Sequence, residues 1–68
     1  MTRIEFAERI VKILTNKKMN AKIEGPFVKT GTAALGGSVL AEIDEMADKV
    51  CMGWVITTDA AGNLQILY

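Results

Sequence analysis

The chain has one cysteine and no histidine among its 68 residues, so it lacks the internal links that many very small domains rely on. One cysteine cannot form an internal disulfide, and a zinc site of the usual kind needs several cysteine or histidine ligands. A chain of this length buries only about 60% of its unfolded surface. Because 50% of the residues are apolar, we expect either a dense small core or a core with an exposed apolar surface that meets another chain. We favour the second.

The same shortage of reactive side chains disfavours catalysis. Serine–histidine and cysteine–histidine catalytic sets are impossible without histidine. The single cysteine, Cys51, lies in the apolar stretch Val50–Met52, so we predict a small buried residue and not a reactive thiol. We therefore predict a protein that is not an enzyme, with no catalytic residues, no cofactor and no metal site.

The first 18 residues predict an amphipathic helix from Thr2 to Lys18. Thr2 and Glu5 have the spacing of a capping box, in which each side chain bonds the backbone amide of the other residue. Apolar residues then recur at helical spacing as far as Leu14.

Phe6 and Ile13 widen the apolar face of this helix to about half its circumference, whereas packing on one side needs only about 100°. In one interpretation, a sheet and a second helix both cover the face. In the other, part of the face meets a second subunit, and self-association is assigned to Phe6, Ile10 and Ile13.

The rest of the chain predicts short strands, a second helix and a hairpin. Residues 20–30 read as one edge strand, or as two short strands around the bend at Gly25-Pro26. Residues 38–49 predict a helix with Ser38 as its N-cap. Residues 53–68 predict a hairpin with Gly62 in the left-handed conformation and Ile56 opposite Ile66.

These elements predict an α+β fold in the order α-β(β)-α-β-β. We expect residues 1–68 to form a single small two-layer domain, in which a short antiparallel sheet has two helices packed on one face.

Acidic side chains line the outer face of the second predicted helix, namely Glu42, Asp44, Glu45 and Asp48. The net charge is zero, but residues 1–29 carry seven basic and three acidic side chains, and residues 30–68 carry one basic and five acidic. A run of charges is usually a solvated helix face. Because the charge is divided between the two parts of the chain, we interpret the four carboxylates as a binding site for a protein with a basic surface.

Two features support an alternative class of function, nucleic-acid or weak anion binding. Gly31–Ser38 departs from the phosphate-binding pattern G-x-x-x-x-G-K-[ST] because Gly37 replaces the lysine. The N-terminal part carries seven basic residues, which could contact phosphates, but the neutral net charge disfavours a nucleic-acid partner. These cations are Arg3, Arg9, Lys12, Lys17, Lys18, Lys22 and Lys29.

We expect a non-enzymatic protein–protein interaction module that forms a homo-oligomer, a small regulatory or inhibitory protein. Proteins of mobile genetic elements include chains of this kind, which is an analogy and not a derivation. No apolar run is long enough to span a bilayer, and no signal-peptide pattern is present, so we predict a cytoplasmic location without membrane contact.

Overall fold

The computed structural model describes all residues from Met1 to Tyr68 and confirms the predicted α+β architecture. The strands form one antiparallel sheet in the order β1-β2-β4-β3, with both helices packed on one face. No helix combines the length and the apolar character needed to cross a membrane. The elements are α1 (Arg3–Asn16), β1 (Lys22–Glu24), β2 (Phe27–Lys29), α2 (Gly37–Lys49), β3 (Val55–Thr58) and β4 (Leu64–Leu67).

One apolar row of the sheet faces the helices. Ile23, Val28, Ile66 and Ile56 lie side by side across the four strands. Val28 and Ile66 are fully buried in the same core cluster as the inner faces of both helices. The nine core residues are Phe6, Ala7, Ile10, Leu14, Val28, Val39, Ile43, Ala47 and Ile66.

The opposite side of the sheet is not covered by a helix, and we call it the open sheet face. Since strand side chains alternate between the two faces, it consists of the residues that flank the apolar row. These residues are Lys22, Glu24, Phe27, Lys29, Val55, Thr57, Gln65 and Leu67.

The capping box at the start of α1 is confirmed. The Thr2 backbone N–H donates to Glu5 Oε1 over 2.8 Å, and the Glu5 N–H donates to Thr2 Oγ1 over 3.2 Å. The wide apolar face of α1 is explained by burial on two sides, because the sheet and α2 both pack against it. Phe6 and Ile10 are fully buried, and Ile13 is half-buried.

Both helices end in a turn whose last residue has a positive φ. Lys18 (φ 64°) follows α1 and Cys51 (φ 54°) follows α2. The N–H of Met19 donates to the Leu14 carbonyl, and that of Met52 to the Ala47 carbonyl, each over 3.0 Å. This is the Schellman hydrogen bond, which satisfies carbonyls that the end of a helix leaves unpaired.

Two predictions around α2 are wrong. Cys51 is exposed and not buried, because the left-handed turn after α2 directs its side chain away from the core. The N-cap is Gly36 and not Ser38, because the Gly36 carbonyl accepts the N–H groups of Val39 and Leu40 and so begins the helix earlier.

The predicted hairpin register is confirmed, with Ile56 opposite Ile66 and Gly62 at φ 85°. The Asp59 N–H donates to the Asn63 carbonyl over 2.9 Å and closes the turn. Residues 20–30 contain two short strands around Gly25-Pro26; β1 lies at the sheet edge and β2 lies inside the sheet.

Candidate functional site

The four acidic residues of α2 are all exposed. We call them the acidic row: Glu42, Asp44, Glu45 and Asp48. Glu42 pairs with Lys17 of α1 at 3.5 Å, and Glu45 pairs with Lys49 at 3.7 Å. Asp44 and Asp48 have no cation within 4 Å.

The acidic row contributes little to the stability of the fold. Exposed ion pairs such as those of Glu42 and Glu45 stabilise a protein by about 0–1 kcal/mol. Asp44 and Asp48 lie one helical turn apart, where like charges destabilise a helix by a few tenths of a kcal/mol. Asp48 also lies in the last turn of α2, where the helix dipole disfavours an anion. The exposed carboxylates of the acidic row therefore lower the stability of α2 by a small amount.

A groove between α1 and α2 runs beside Glu42 and Glu45 of the acidic row and contains two adjoining cavities of about 480 and 340 Å³. Its floor is formed by the half-buried side chains of Ile13, Met46 and Val50. Arg9 and Lys12 of α1 form one rim, and Glu42, Glu45 and Lys49 of α2 form the other. We call these eight residues the helix groove.

The helix groove brings together residues that sequence reasoning placed in separate surfaces. Ile13 was assigned to self-association and lies in the groove floor, whereas Phe6 and Ile10 lie in the core, where a second chain cannot reach them. Met46 of α2 and Val50, its C-cap, complete the floor from the other side. An apolar floor between rims of opposite charge suits a segment with apolar and charged side chains.

The structure shows no arrangement suited to metal chemistry in this chain. No group of three or more aspartate, glutamate, cysteine or histidine side chains converges as a metal ligand set. The groove provides apolar surface, carboxylates and cations, which is the chemistry of non-covalent recognition.

The Gly31–Ser38 segment connects β2 to α2. Its start is fastened to the sheet, because the buried Thr30 hydroxyl donates to the Leu64 carbonyl over 2.8 Å. The Ala34 N–H donates to Thr32 Oγ1 over 3.4 Å. Beyond these contacts, the segment offers only the unpaired amides that every helix N-terminus has.

The seven N-terminal cations do not form one patch. Arg9 and Lys12 line the helix groove, and Lys17 pairs with Glu42. Lys22, which pairs with Glu24 at 3.5 Å, and Lys29 lie opposite each other on the open sheet face. The cations are thus divided between α1 and the sheet, whereas a phosphate backbone is bound by several cations along one surface.

A polar network on the open sheet face was not predicted. Lys29 Nζ donates to Gln65 Oε1 and lies 3.7 Å from an Asp59 carboxylate oxygen. Gln65 Nε2 donates to Thr57 Oγ1 over 3.0 Å. Lys29 and Gln65 are 36 residues apart in sequence, and only the strand register brings them together. The network therefore joins β2, β4, β3 and the hairpin turn on this face, and no buried side-chain polar atom is left without a partner.

Comparisons of the chain with protein-family models, with curated proteins and with solved structures each found no match.

Proposed function

We propose that the chain is a non-enzymatic protein–protein interaction module, a small regulatory or inhibitory protein of the cytoplasm. It binds another protein through the helix groove and the acidic row. The observation that supports this most strongly lies on α2: an apolar groove floor lies beside the exposed carboxylates of Glu42 and Glu45, and farther round the same helix two more exposed carboxylates, Asp44 and Asp48, have no ion partner.

The partner is a protein segment with apolar side chains on one side and lysine or arginine beside them. The apolar side chains enter the groove over Ile13, Met46 and Val50. The basic side chains meet Glu42 and Glu45 at the groove rim and reach round α2 to Asp44 and Asp48, which are exposed and unpaired. An amphipathic helix laid into a groove is a common form of this recognition.

The two parts of the surface contribute differently. Burial of apolar area over the groove floor supplies affinity, at roughly 25 cal/mol per Å² removed from water. The charges steer the encounter and set the orientation of the partner, so their contribution weakens with salt. Arg9 and Lys12 on the opposite rim repel a wrongly oriented basic segment and thereby fix its direction.

Two double variants, each of which removes two negative charges, test the proposal. In Asp44→Asn/Asp48→Asn, neither change breaks an ion pair. We expect affinity for the captured partner to fall about fivefold to thirtyfold, from about 0.5–1 kcal/mol for each exposed charge pair lost. The measurement is affinity capture from a lysate of the source organism, followed by calorimetric titration of the captured protein.

The control is Glu8→Gln/Glu24→Gln, which removes the same number of exposed charges from α1 and β1, and also breaks the exposed Lys22–Glu24 pair, which contributes little to stability. We expect this control to bind as the parent chain does. Equal losses in the two double variants would show that only net charge matters, and no loss in either would remove the acidic row from the interface.

A further inference from the structure

The outer edge of β3, residues Val55–Thr58, has no neighbouring strand, and we call it the β3 edge. We propose that the β3 edge pairs antiparallel with the β3 edge of a second copy of this chain, so that two four-stranded sheets become one eight-stranded sheet. The occupant of the edge is thus a second copy.

The two edges of the sheet differ in a way that singles out β3. β1 has only three residues, and it carries the charged side chains of Lys22 and Glu24. Short length and charge are the devices that keep a sheet edge from pairing. The β3 edge is Val-Ile-Thr-Thr, without charge and without proline, and β-branched residues favour strands. Val55 is 54% exposed.

The hydrogen-bonding groups that point outward from β3 follow from the hairpin turn. The Asp59 N–H bonds the Asn63 carbonyl, and hydrogen-bonded and non-bonded pairs alternate along an antiparallel ladder. Val55 and Thr57 therefore bond β4, whereas the backbone N–H and C=O groups of Ile56 and Thr58 point away from the sheet. With a two-fold axis between the Ile56 residues of two copies, these outward N–H and C=O groups of each copy bond the β3 edge of the other.

This register continues the side-chain pattern of the sheet. Ile56 of one copy lies opposite Ile56 of the other, so the apolar row Ile23–Val28–Ile66–Ile56 runs on into its symmetry mate. On the open sheet face, the exposed Val55 lies opposite Thr57 of the second copy. Non-hydrogen-bonded pairs of this kind bring side chains close and stabilise a sheet.

Charges at the two ends of the β3 edge are complementary under the same symmetry. Arg3 lies beside Gly53, Trp54 and Val55 at the start of β3, and no carboxylate lies within 4 Å of it. Asp59 follows the other end of the strand, where its carboxylate is 19% exposed and also lies 3.7 Å from Lys29. Antiparallel pairing about Ile56 brings Asp59 of each copy to the end that carries Arg3 of the other.

Light scattering across micromolar to millimolar concentrations tests the pairing. We expect the parent chain to reach twice the 7.4 kDa of a single chain. Thr58→Pro removes an outward N–H without breaking a bond to β4, and proline is tolerated on such an edge. We expect Thr58→Pro and Val55→Lys to stay monomeric with an unchanged circular dichroism spectrum, whereas the control Ala60→Lys, which adds the same charge on the hairpin loop, dimerises as the parent does.

Amide hydrogen exchange identifies the surface that pairs and keeps the test decisive if a variant unfolds. In the parent chain, we expect the amides of Ile56 and Thr58 to gain protection as concentration rises. A dimer in which both amides exchange freely overturns the proposal by placing the contact elsewhere. A mass of 7.4 kDa at every concentration also overturns it.

Discussion

At the scale of single residues, the capping box at the start of α1 changes the pKa of Glu5. The Thr2 backbone N–H, together with the Thr2 side chain, holds the pKa of Glu5 below its ordinary value of 4.5. The cause is that the ionised carboxylate is a better hydrogen-bond acceptor than the protonated acid. Since the pKa is lower in the folded chain than in the unfolded chain, ionised Glu5 stabilises the fold.

This contact predicts a pH dependence that belongs to Glu5. Its contribution is fully present above pH 4.5, the unfolded pKa, and is lost as pH falls through the lower folded pKa. We expect the difference in unfolding free energy between the parent and Glu5→Gln to shrink as pH falls from neutral to below 4.5, as measured by urea denaturation. A difference that is the same at every pH would show that the carboxylate charge has no role in the cap.

At the scale of elements, the ends of the helices carry strain that the sequence pattern does not reveal. The expected helix from Thr2 to Lys18 ends at Asn16, because Lys18 turns into the left-handed region so that Met19 can bond the Leu14 carbonyl. Glycine is the usual residue at this position. A residue with a Cβ atom costs roughly 1–2 kcal/mol there.

Replacing the strained residue with glycine is therefore expected to stabilise the chain. We expect Lys18→Gly and Cys51→Gly each to raise the unfolding free energy by about 0.5–1 kcal/mol, measured by urea denaturation. The control is Lys17→Gly, because Lys17 has φ −94° and gains no relief from losing its side chain, and its exposed pair with Glu42 contributes little to stability. Stabilisation by the control equal to that of Lys18→Gly would argue against strain as the cause.

The elements differ in how far the sequence could predict them. The register of the β3–β4 hairpin follows from alternation and from Gly62, both of which are local signals. The N-cap of α2 could not be predicted from a local signal, because Gly36 caps the helix through its backbone and has no side chain that could identify it. The exposure of Cys51 could not be predicted for a similar reason. Its apolar neighbours indicate a buried side chain, but the left-handed backbone turn after α2 directs the side chain to solvent.

At the scale of the whole molecule, the basic and acidic parts of the chain lie on opposite rims of the helix groove. The basic first part supplies Arg9 and Lys12, and the acidic second part supplies Glu42 and Glu45. The acidic row was predictable because its residues lie on one face of one helix. The groove floor was not, because Ile13 and Met46 become neighbours only when two helices lie side by side on the sheet.

Site-specific photo-crosslinking tests most directly whether the chain acts through the acidic side of α2. Ala41 is exposed one turn before Asp44 and Glu45, and Ala60 is exposed on the hairpin loop. Both positions accept a benzophenone side chain without loss of charge. We expect the Ala41 variant, irradiated in a lysate of the source organism, to form an adduct with a protein other than a second copy, and the Ala60 variant to form no adduct except with a second copy. Adducts of equal yield from both positions, or from Ala60 alone, would contradict a binding surface on α2.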